Sequence, residues 1–93
     1  MKVVWSILFK DGFEDSARSI KHLCKKLTYT DRTPQLISKI NVENNNIEHY
    51  DVVGVEKGRI LVKDESGKTM ALDLVKGQFT NVEVKQTVQM TLF

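Results

Sequence analysis

The sequence predicts an α+β domain in which one amphipathic helix packs on a curled, mainly antiparallel sheet or small barrel. Three observations carry this. An unbroken apolar run opens the chain, a single stretch of helical periodicity follows it, and everything after reads as short strands separated by turn residues. At 93 residues there is room for one core, so residues 1–93 are expected to form a single domain.

Residues 3–9, VVWSILF, are apolar and aromatic throughout except for Ser6. Seven such residues suit a strand buried on both faces and are too few for a helix, which makes this the candidate central strand. Asp11 followed by Glu14 has the spacing of a helix-opening capping pair, and Ala17, Ile20, Leu23, Cys24 and Leu27 then recur at helical spacing. The expected helix covers residues 13–28. TYTDRTP, residues 28–34, is turn chemistry. Strands are expected at residues 36–42, 47–53, 59–64, 69–75 and from 79 onward. ENNN, EKG, ESGK and KGQ lie between them and supply the glycine or asparagine that tight hairpins require.

Composition excludes several classes. The chain is 41% hydrophobic and 28% charged with one proline, which is a globular and not a disordered profile. Its single cysteine, Cys24, has no internal disulfide partner, and MKVVWSILFKDGFED is a poor secretory signal, so a cytoplasmic setting is expected. No apolar run reaches the length of a membrane span. His22, Cys24 and His49 show no metal-ligand spacing, no nucleotide-cradling glycine loop occurs, and neither a metal nor another cofactor is expected. His22 and Cys24, two apart on a helix, point about 200° apart and form no nucleophile and base pair. His49 and Asp51 share one strand face, an arrangement common on solvated strands, while Asp64 and Glu65 read as hairpin residues. Catalysis is therefore not expected, and a binding role is.

Two candidate binding surfaces follow. The first comes from charge. Between Ala17 and Ile40 six cations face only Asp31, whereas from Asn41 onward eight acids outnumber six cations. Arg18, Lys21, Lys25 and Lys26 fall on the polar face of the expected helix with Arg32 just beyond, a set able to contact nucleic-acid phosphates. The alternative is a solvated helix face, and the few aromatics nearby, Tyr29 and Trp5, offer no extended stacking platform.

The second lies at residues 89–93, Gln89, Met90, Thr91, Leu92 and Phe93. This pentapeptide resembles the short motif with which bacterial replication and repair proteins bind the processivity sliding clamp. Gln89, Leu92 and Phe93 match its most constrained positions; Met90 stands for the commoner leucine and Thr91 for serine or aspartate. The resemblance implies a C-terminal peptide whose Leu92 and Phe93 anchor in an apolar pocket while Gln89 fixes orientation. The competing reading is a half-buried strand, because Val82, Val84, Val88, Met90 and Leu92 alternate with polar residues. Residues 50–74, YDVVGVEKGRILVKDESGKTMALDL, also resemble the SH3-like barrel modules of some DNA helicases and conjugative relaxases, which implies a small SH3-like barrel working beside nucleic acid. Together these point to a small bacterial or phage-type accessory or inhibitor protein that binds a partner of the replication machinery, with direct nucleic-acid binding as the alternative.

Overall fold

A computed structural model describes residues 2–82, and the expectations placed on residues 89–93 fall outside them. The elements run β1 (Val3–Phe9), β2 (Glu14–Ala17), α1 (Ile20–Tyr29), β3 (Pro34–Asn41), β4 (Asn46–Glu56), β5 (Arg59–Lys63), β6 (Thr69–Asp73) and β7 (Gln78–Asn81). They form one helix and one seven-stranded sheet ordered β2-β1-β3-β4-β5-β6-β7, with every pairing antiparallel. The expected α+β architecture, a helix on a curled antiparallel sheet, is what is found. The sheet is not closed: β2 and β7 are its edges.

The N-terminal third departs from the periodicity reading. Asp11 and Glu14 do not open a helix. They belong to a β1–β2 hairpin, where the Asp11 carboxylate accepts from the Phe13 amide at 3.0 Å and Gly12, at φ +92°, takes a left-handed turn position that other residues rarely adopt. β2 then alternates, turning Asp15 and Ala17 inward, and Ala17 sits opposite Trp5. The helix starts only at Ile20. Its N-cap is Ser19, in extended geometry, whose hydroxyl accepts from the His22 amide at 3.1 Å. Arg18 therefore precedes the helix and is not part of its face.

One face of the sheet and one stripe of α1 make the core. Cross-strand register aligns Ile7 with Ile37, Ile37 with Tyr50, Ile60 with Leu72 and Leu72 with Phe79 on the inner face. Leu23, Cys24 and Leu27 of α1 are buried against it. Burying Leu23 and Leu27 contributes about 1.5–3 kcal/mol each, enough to hold a ten-residue helix that would be marginal alone. Between β4 and β5 the register shifts at Val52/Gly54, so Val53 has no partner on β5 and is half exposed. At Gly54 an added Cβ would meet Leu61 Cδ1 at 3.4 Å, so the missing side chain lets Leu61 cross the ladder closely.

Candidate partner-binding groove

The five cations singled out in the sequence are dispersed by the fold. Lys26 turns toward the sheet edge and pairs with Asp15 at 2.9 Å. That hydrogen bond, helped by the Ser16 amide, holds the Asp15 carboxyl below its usual pKa. Arg32 is held by Asp11 at 3.0 Å and lies over the Phe13 ring at 4.1 Å, tying the β1–β2 hairpin to the loop after α1. Arg18 sits with Lys39 beside Trp5, Tyr50 and Phe79, but Trp5 is only 6% exposed and Tyr50 is buried, so those rings serve the core and not an open stacking surface.

Lys21 and Lys25 remain together. One helical turn apart, they share the α1 face that looks onto the β6–β7 turn. That turn supplies a third cation that charge counting along the helix could not find, Lys76. It is built by Asp73, whose carboxylate accepts from the Val75 amide at 3.0 Å and the Lys76 amide at 2.9 Å, while its carbonyl accepts from Gly77 at 2.8 Å. Gly77 has φ +71° and lies against Lys21. The helix and the turn are also joined through the Cys24 thiol, 3.8 Å from the Asp73 carbonyl. Both walls are thus fixed, and between them runs a groove of about 530 Å³. Lys21, Lys25 and Lys76 line it, with Tyr29, 80% exposed, and Val75, 87% exposed. Among the described residues none of the three lysines pairs with a carboxylate.

No family model, curated protein or solved structure matches the chain. The likeness of residues 50–74 to SH3-like modules therefore rests on their hairpin pattern alone.

The histidines and the cysteine occupy separate places. His22 Nδ1 accepts from the Arg18 amide at 3.4 Å at the start of α1. His49 Nδ1 meets Ser38 Oγ at 2.9 Å across the β3–β4 ladder, a contact set by their direct register that the alternation of β4 alone does not reveal. The Glu65 carboxylate accepts from the His49 backbone amide at 3.2 Å. Ser38 is buried, whereas His49 is exposed and lines a small cleft with Glu48, Asp64, Glu65 and Ser66. Cys24 is buried, and desolvation, then the Asp73 charge, pushes its thiol up to about 11, so it stays protonated at neutral pH.

Proposed function

We propose that this chain is a small non-enzymatic binding module, an accessory or inhibitor protein that docks on a macromolecular partner with an anionic surface. The convergence of Lys21, Lys25 and Lys76 on one rigid-walled groove carries this reading. Among the described residues none of the three ammonium groups is ion-paired, and an anionic partner would supply the counter-charge. His49 on β4 is apart from His22 and Cys24 on α1, Cys24 is buried, and each histidine ring is held by a partner of its own, which supports a role without catalysis.

Assignment of the partner to the replication machinery rests on the resemblance of Gln89, Met90, Leu92 and Phe93 to the clamp-binding peptide. Direct nucleic-acid binding is the second reading. The same lysines favour it, since phosphate neutralisation by lysine gives sequence-independent affinity.

Elution from two immobilised polyanions, polyglutamate and heparin, tests the groove. Wild type is expected to be retained at low salt, and a variant with Lys21, Lys25 and Lys76 all changed to Glu to elute far earlier. Equal elution of the two proteins would remove the groove as the docking surface.

A further inference from the structure

The lysine groove shares Thr28, Leu74 and Val75 with a second cleft of about 250 Å³, which lies between the end of α1 and the β4–β5 hairpin. The chemistry of this second half is different. Leu27, Pro34, Val55, Ile60 and Val75 supply aliphatic wall beside the ion-paired Arg32 and Glu56, and among the described residues no aromatic ring lines it. Val55 and Val75 are both exposed by more than half, which leaves β-branched apolar surface in water at the mouth of the cleft.

We infer that groove and cleft form one continuous site for a protein segment carrying acidic residues beside a large apolar anchor, the acids lying along Lys21, Lys25 and Lys76 and the anchor entering the aliphatic cleft. This rests on the docking reading above and names its partner. Charge complementarity selects the acidic half. The aliphatic wall selects the other half: a nucleotide strand stacks successive bases on aromatic faces, and among the described residues the site offers a single ring, Tyr29 in the lysine groove, and none in the second cleft. The charges of the second cleft, Arg32 and Glu56, are each paired, with Asp11 and Arg59, whereas the groove gathers three lysines, so the acids of the segment lie along the lysines. Anchors that fill an apolar cleft, ringed by charge, are the usual source of affinity in such sites.

The test uses the full chain and a labelled short peptide that carries a run of Asp and Glu next to Leu-Phe. Companion probes are an acid-only peptide, a neutral Leu-Phe peptide and oligothymidylate. Binding is read by fluorescence anisotropy. The expected result is that the combined peptide binds at least about tenfold more tightly than any companion, and that Lys76→Glu and Val55→Glu each weaken it by about tenfold or more. Val75→Glu repeats the second arm at a side chain so exposed that folding is not at issue, and circular dichroism checks every variant. If the acid-only peptide or oligothymidylate binds as tightly and Val55→Glu and Val75→Glu change nothing, the two-part site is overturned while the lysine groove stands. If no anionic probe binds, both fall. Self-association that Lys76→Glu abolishes, in the absence of peptide binding, would give the groove to a second copy of the chain and also overturn the proposal.

Discussion

The rings of Trp5 and Phe79 meet at a centroid distance of 5.9 Å, although β1 and β7 are five strand positions apart in the sheet. In a flat sheet that separation would be about 24 Å at the usual strand spacing. The sheet is therefore curled until its far edge folds over the inner face of β1, and Phe79 completes the closure by stacking on Tyr50 at 5.0 Å. This curl brings the β6–β7 turn up to α1 and so creates the groove.

Phe79 should accordingly matter more than its position on an edge strand suggests. Phe79→Ala is expected to destabilise by about 2–3 kcal/mol, somewhat less than a fully buried phenylalanine because Phe79 retains partial exposure. Urea denaturation measures the loss. Trp5 is the sole tryptophan, so its emission should also shift to the red in the folded variant as water reaches the indole. An unchanged midpoint and spectrum would show that Phe79 does not close the curl.

Stability should decline in alkali. Burial raises the Cys24 thiol from 9.0 to about 11, and burial, followed by the hydrogen bond to Glu48, raises the Tyr50 phenol from 10.0 to about 12. Both groups fold best in their neutral forms. Their contribution is full below the unfolded values and is lost as pH rises through the folded ones. Urea midpoints should fall progressively above pH 9.0, and Cys24→Ala should flatten the first part of that fall. A parallel decline in the variant would mean the thiol is not responsible.

In acid the β5–β6 hairpin should weaken. The Asp64 carboxylate accepts from the Ser66 hydroxyl at 2.7 Å, the Lys68 amide at 2.9 Å and the Ser66 amide at 3.0 Å, and these bonds hold its pKa below 3.8. Its contribution is present above that unfolded value and disappears as pH falls through the lower folded one. Protection of the Ser66 to Lys68 amides, taken relative to intrinsic exchange at each pH, should fall in Asp64→Ala at neutral pH and in wild type at low pH. Unaltered exchange would show that the turn holds without its carboxylate.

The sheet was largely legible in the sequence because its turns are marked by Gly58, Gly67 and Gly77 and by the asparagines before β4. β2 was not. Glu14 to Ala17 contains no β-branched or aromatic residue, and Ala17 fits the helical stripe as well as it fits a place opposite Trp5. Tertiary pairing with β1 overrides the local pattern there. Of the candidate site, Lys21 and Lys25 could be read from helical spacing, whereas Lys76 is distant in the chain and joins them only through the curl. Lys26 and Arg32 looked equally available until the fold supplied Asp15 and Asp11.

The clamp reading makes a prediction independent of the groove. A bacterial sliding clamp should bind the chain with micromolar affinity, and the double variant Leu92→Ala, Phe93→Ala should lose that binding while keeping its fold. Burial of the two side chains would contribute about 2–3 kcal/mol each, sufficient for such an affinity after the cost of association. Titration calorimetry with both proteins decides it. Equal binding by the double variant would move the partner to another surface.

The β6–β7 turn joins fold and groove at one residue. Gly77 has φ +71°, and a Cβ there would approach Lys21 Cγ to 3.2 Å. Gly77→Ala is therefore expected to cost about 1–2 kcal/mol from the left-handed backbone alone. It should in addition make the Lys21 stem give way at the turn by a few tenths of an ångström. Gly77→Asn distinguishes the two effects, since asparagine tolerates the backbone conformation better but also carries a Cβ. The expected order is a larger stability loss in the alanine variant and weakened retention on polyglutamate in both. If both variants are retained as wild type is, the position of Lys21 against the turn is not what the anionic ligand reads, and Lys25 and Lys76 would have to hold it without Lys21.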